Sequence, residues 1–120
     1  MEEDIYAAVT DAADNFIKAV KGLGAYGAYS GALKAISSDA KLRARLADFK
    51  ELNRARILAS AAGREPDENE DKRASNLYWQ LALDNNAAAF LESERELATV
   101  LREAFLRAIK EIGLETEFYI

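Results

Sequence analysis

From Asn86 to Ile112 the chain reads NAAAFLESERELATVLREAFLRAIKEI, without a glycine or a proline. Phe90, Glu94, Leu97, Leu101, Ala104 and Ala108 recur at alternating steps of four and three. Leu91, Ala98, Phe105 and Ile112 make a second apolar line beside them. This is the broad stripe of an amphipathic helix and not the alternation of a strand. At about 1.5 Å per residue it runs roughly 40 Å, and other helices must cover it. So long a stripe commits the chain to an all-α fold.

The remaining segments supply the cover. Asp4 to Lys21 reads as a first helix, with Ile5, Val9, Ala12, Phe16, Ile17 and Val20 on its apolar side. Gly22 and Gly24 end it, through the left-handed backbone that glycine tolerates. Ala25 to Ile36 is a shorter second helix, where Gly27 and Gly31 leave room for a close neighbour and each cost about 1 kcal/mol relative to alanine. Ser37, Ser38 and Asp39 supply the cap of a third helix, about Ala40 to Ala62, that Gly63 stops. A loop carrying Pro66 leads to Asp67 and Glu70, which resemble a capping box for a fourth helix ending near Asp84. Asn85 or Asn86 caps the fifth. The tail from Leu114 to Ile120 has no assignable pattern.

The expected architecture is a single domain over residues 1–120, an all-α bundle of about five helices with a long C-terminal helix. That last helix should pack on the first and third, burying Phe16, Phe49, Leu97, Leu101 and Phe105. Trp79 stands apart from this core. It lies about 200° round the fourth helix from Leu77, with Leu83 one turn on. A second apolar side on one helix suggests self-association, most simply a homodimer or higher homo-oligomer with Trp79 and Leu83 at the contact.

Composition narrows the chemistry. The chain has 21 acidic and 16 basic side chains, a formal charge of −5. That balance argues against a sequence-independent grip on nucleic acid. With no cysteine there is no disulfide, thiolate metal site or cysteine nucleophile. With no histidine there is no imidazole base or ligand. The acidic N-terminus lacks the pattern of a secretory signal, and no apolar run is long enough to insert in a bilayer. A cytoplasmic location is the expectation.

Three motifs dissolve on inspection. Gly22-Leu23-Gly24-Ala25-Tyr26-Gly27 matches a dinucleotide fingerprint in letters, but a helix precedes it where a strand is required. Asp67-x-Asn69-x-Asp71 opens like a calcium loop, yet Lys72 and Tyr78 stand where glycine and glutamate are needed. Glu65, Glu68 and Asp71 suggest a metal-dependent helical hydrolase, but Glu65 and Glu68 flank Pro66 in a loop and do not project from facing helices. No catalytic residue, metal or cofactor is therefore assigned. One surface stands out instead. Arg43, Lys50 and Arg54 share a face of the third helix, a candidate docking face for an acidic protein or, secondarily, RNA.

The order of parts is similar to the YlbF/YmcA family of small helical bacterial proteins over nearly the whole chain. The resemblance rests on the Ile5-Tyr6 opening helix, Tyr26 and Tyr29, and the Ser38-to-Ala40 turn before Leu42. It continues through Asp48-Phe49-Lys50-Glu51-Leu52, Gly63-Arg64-Glu65-Pro66, and the run from Asn85 through Phe90 to Leu97. Asn86 departs from the proline frequent after the capping asparagine, and the glycines of the second helix depart from a more charged pattern.

The resemblance implies a non-enzymatic regulator. Relatives help control competence, sporulation and biofilm formation, in a complex with a membrane-associated endoribonuclease that shapes mRNA processing. Some are linked to iron–sulfur clusters through cysteines, which this chain lacks. The leading expectation is a regulatory adaptor working through protein–protein contacts with a ribonuclease complex. The alternatives are a direct RNA-binding protein and, third, a helical metal-dependent hydrolase.

Overall fold

The computed structural model of the chain describes residues 2–115 and 117, and no strand occurs among them. Five helices follow one another: α1 (Glu2–Lys21), α2 (Gly24–Ser37), α3 (Ala40–Ala61), α4 (Glu68–Ala82) and α5 (Asn85–Ile112). The all-α class and the long last helix are as the sequence predicts.

The ends of the helices are set by local chemistry. The Asp39 carboxylate accepts from the Leu42 N–H at 3.0 Å and starts α3. Asp67 accepts from the N–H groups of Asn69 and Glu70 and starts α4. The cap of α5 is Asp84, whose carboxylate accepts from the Ala87 N–H at 2.9 Å. Asn85, one of the two caps expected from sequence, already belongs to the first turn. The aspartate wins because it sits three residues before a free N–H and adds a full negative charge at the helix start.

Left-handed glycine ends two helices, α3 at Gly63 as the sequence suggests and α5 at Gly113, but not α1. Gly63 (φ 74°) and Gly113 (φ 91°) take the left-handed conformation. After Gly63, the Arg64 N–H donates to Ala59 and the Gly63 N–H to Ser60, capping the last carbonyls of α3. After Gly113, Leu114 and Gly113 donate to Ile109 and Lys110 in the same way. Gly22 and Gly24 keep negative φ; a tight turn held by Gly22 N–H on Lys18 and Leu23 N–H on Val20 reverses the chain there. Gly27 and Gly31 admit no close neighbour either, since a side chain added at each would meet nothing within 4 Å.

The chain divides into two compact units, Ser30–Leu91 and Met1–Tyr29 with Glu92–Ile120. In the first, α3 packs on α4. The core there is Ile36 of α2, Leu42 and Leu46 of α3, Ala74 and Leu81 of α4, and Ala87 and Phe90 of α5. Leu81 has no exposed surface. Phe49 is half-buried against Tyr78, ring centroids 6.1 Å apart.

In the second unit Ile109 is buried, while Leu97, Val100, Ala104 and Leu106 are half-buried. Phe16, Leu101 and Phe105, expected in the core, are exposed instead, Phe105 by 53%. The reason is rotational. Leu97, Val100 and Ala104 take the cover, and Leu101 and Phe105 lie roughly 90° further round the helix. Periodicity shows how wide an apolar stripe is, not which part of it meets a neighbour.

Two substitutions of opposite sign test this packing. Leu81→Ala should lose about 2–5 kcal/mol of stability, since it empties a fully enclosed site. Gly31→Ala should gain about 0.5–1 kcal/mol, because the added methyl meets open space in the middle of α2. Urea denaturation followed by helical circular dichroism reads both; a neutral Leu81→Ala would place the core elsewhere.

Candidate functional site

The face of α3 singled out by sequence is present. Arg43, Lys50 and Arg54 are exposed along one side of the helix, next to the arc that Leu42 and Leu46 bury. Lys50 is more than a surface charge: its ammonium stands 5.1 Å from the centre of the Phe90 ring, over the beginning of α5. Arg43 and Arg54 lie on either side of it along the helix. Ile57 and Leu58 extend the same outward side and are 68% and 55% exposed. Sequence reasoning passed over these two. A signal was available for Leu58, which lies about 120° round the helix from Leu46; Ile57 falls within about 20° of Leu46 and is exposed all the same, so period alone would have buried it.

From Asn53 onward the helix borders a cleft of about 680 Å³, lined by Asn53, Arg56, Ile57, Ser60, Arg64 and Asp71 among others. Three of its charged side chains, Arg56, Asp67 and Asp71, are committed to structure. The Arg56 guanidinium Nε holds the Asp71 carboxylate at 2.8 Å, both side chains about 40% exposed. Asp67 is occupied at the start of α4. Of the acids that resembled a calcium loop or a hydrolase centre, Asp67 and Asp71 thus have structural partners. Among the described residues no group of three or more His, Cys, Asp or Glu could hold a metal ion.

Trp79 and Leu83 emerge on α4 away from its buried side, 63% and 85% exposed. Trp79 meets Tyr78 edge-on at 5.6 Å, so the indole is braced on one side and open on the other. Leu83 is the C-cap residue of α4, its N–H donating to Trp79. The structure does not bring Trp79 into the core formed by Ala74 and Leu81.

Helices with large apolar and cationic side chains on their outer faces define a protein suited to contact with other macromolecules. A family model described as "Control of competence regulator ComK, YlbF/YmcA" matches residues 9–109. The chain belongs to this family of regulators. None of the curated proteins compared with it matches. Among the described residues no helix is long and apolar enough to cross a membrane.

The start of α4 offers a direct check on the site's framework. Asp67→Ala should cost about 1 kcal/mol by freeing the first N–H groups of the helix, whereas Asp67→Ser should restore most of it. Thermal melting of the two variants against the parent measures the difference. Equal loss in both would mean that the carboxylate does something other than cap.

Proposed function

We propose that this chain is a regulatory adaptor that works by protein–protein contact, within a complex containing a ribonuclease that processes messenger RNA. The observation that carries the contact mode is the outer side of α3, where Arg43, Lys50 and Arg54 run beside exposed Ile57 and Leu58. Exposed apolar side chains rimmed by charge are typical of surfaces that bind protein. The basic residues favour an acidic partner, steering its approach and setting its register more than adding affinity. Membership of a family of competence regulators supports the regulatory part, and the ribonuclease complex follows the resemblance to relatives.

Trp79 and Leu83 offer a second contact. Tryptophan braced by a neighbouring ring is a frequent anchor of interfaces. The sequence expectation puts a second copy of the chain there, and an unlike partner would use the same exposure.

Replacing Arg43, Lys50 and Arg54 together by glutamate tests the α3 face. Helical content should be kept, with melting lowered only by the loss of the Lys50–Phe90 contact, about 0.5–1 kcal/mol. Recovery of the ribonuclease complex from the native cell with tagged protein should fall at least tenfold. Unchanged recovery removes this face from the reading. A gel shift of the wild type with RNA at physiological salt, abolished by the same three substitutions, would replace the adaptor with a direct RNA-binding protein.

A separate substitution, Trp79→Glu, should leave folding intact, because the indole is outside the core. It should reduce partner recovery or self-association, and pull-down and light scattering separate the two.

A further inference from the structure

One line of side chains runs exposed along α3. Arg43, Ala47, Lys50, Arg54, Ile57 and Ala61 recur at alternating steps of four and three, and all six are exposed. Such steps keep a line straight on a helix and form the seam along which a second helix packs. Every helix has an outer line of this kind; composition sets this one apart. The chain carries 21 acidic side chains against 16 basic ones, yet the line holds three cations and no acid. Asp48 and Glu51, the acids nearest along the helix, lie about 100–160° round it from Lys50. Among the described residues, neither the Arg43 nor the Arg54 guanidinium has an ion-pair partner. Ala47, between the cations, keeps the line low enough for another backbone to approach. At the far end Ile57 is 68% exposed and lines the cleft together with Pro66.

We infer that the occupant of this line is an acidic amphipathic helix of the partner protein, docked antiparallel to α3. Its carboxylates meet Arg54, Lys50 and Arg43 in that order, and an apolar residue at its N-terminal end rests on Ile57 and Pro66. This rests on the reading of the α3 face as the docking surface of an adaptor, and adds what that surface holds. Spacing favours a helix. From Arg54 to Lys50 and on to Arg43 the axial steps are about 6 and 10.5 Å, which a second helix reproduces with residues four and seven apart. A strand presents one face about every 6.6 Å and misses the longer step. Charge favours a protein, since the formal charge of −5 opposes a polyanion such as RNA. Direction follows from the dipoles. An antiparallel occupant carries two of its three acids in its first turns, where the helix dipole stabilises them, and its macrodipole opposes that of α3. The Phe90 ring, 5.1 Å from the Lys50 ammonium, sets the middle cation before the occupant arrives.

The probe is a helical, alanine-rich peptide of about 18 residues with leucine at position 1 and glutamate at positions 4, 8 and 15, set to face Ile57, Arg54, Lys50 and Arg43. The chain has no cysteine, so a single introduced one reports the register. On mild oxidation Ala47→Cys should link to a cysteine at peptide position 11 at least about tenfold faster than to one at position 13, on the far side of the peptide. Arg54→Glu, an exposed site outside the core, should slow that link about tenfold, and a peptide with lysine at position 4 should restore it. Equal rates at positions 11 and 13, or no recovery with the lysine peptide, would overturn the inference. If the joint replacement of Arg43, Lys50 and Arg54 still loses the ribonuclease complex in that case, the face docks something other than this helix. If that replacement leaves recovery unchanged, the reading of the face fails and the helix with it. A wild type whose self-association in sedimentation is abolished by Arg54→Glu would put a second copy on the line. An RNA oligonucleotide that blocks the cross-link at physiological salt would put RNA there, and either result overturns the inference.

Discussion

The contact between α3 and α4 is the interaction on which the described surfaces depend. It closes over Leu81, which has no exposed area, and over Ala74, whose single methyl lets two helices approach. With Leu42 and Leu46 turned inward, Arg43, Lys50 and Arg54 must line the edge of the outer face, and Leu58 must follow them. With Ala74 and Leu81 turned inward, Trp79 and Leu83 must point away. Function here is what remains outside once packing has taken the residues it needs.

The Arg56–Asp71 pair shows how little of that framework rests on charge. Both groups are about 40% exposed, and ion pairs in such surroundings contribute between nothing and about 1 kcal/mol. The pair sets how α3 and α4 meet at the cleft more than it sets stability. Lys50 belongs to a different kind of interaction. Its contact with Phe90 ties the candidate docking face to the start of α5, so a partner that draws the ammonium away would act on that helix end as well.

Helix existence was legible in the sequence because long periodic runs leave no other reading. The cap was legible at Asp67, and at α3 it lay within the expected Ser37-Ser38-Asp39 run. At α5 the run Asp84-Asn85-Asn86 offered three residues of similar propensity, and only geometry picks the first. Glycine was harder to read. Gly63 and Gly113 resemble Gly22 and Gly24 as letters, yet only the former pair lies where the chain needs positive φ. The core was read too broadly for a related reason. Phe105 and Leu101 satisfy the helical period as well as Leu97 does, and period carries no information about where a neighbouring helix ends. That Trp79 stands outside the core was legible because its angle to Leu77 is a property of one helix alone.

An apolar stripe is left uncovered on α1. A 20-residue helix gains most of its stability from tertiary burial, which α1 lacks along most of its length. The unit Ser30–Leu91 stands differently, since Leu42, Leu46, Ala74, Leu81 and Phe90 close a core within one chain. Such a division suits a regulator. A core that holds without help keeps the α3 face and Trp79 presented.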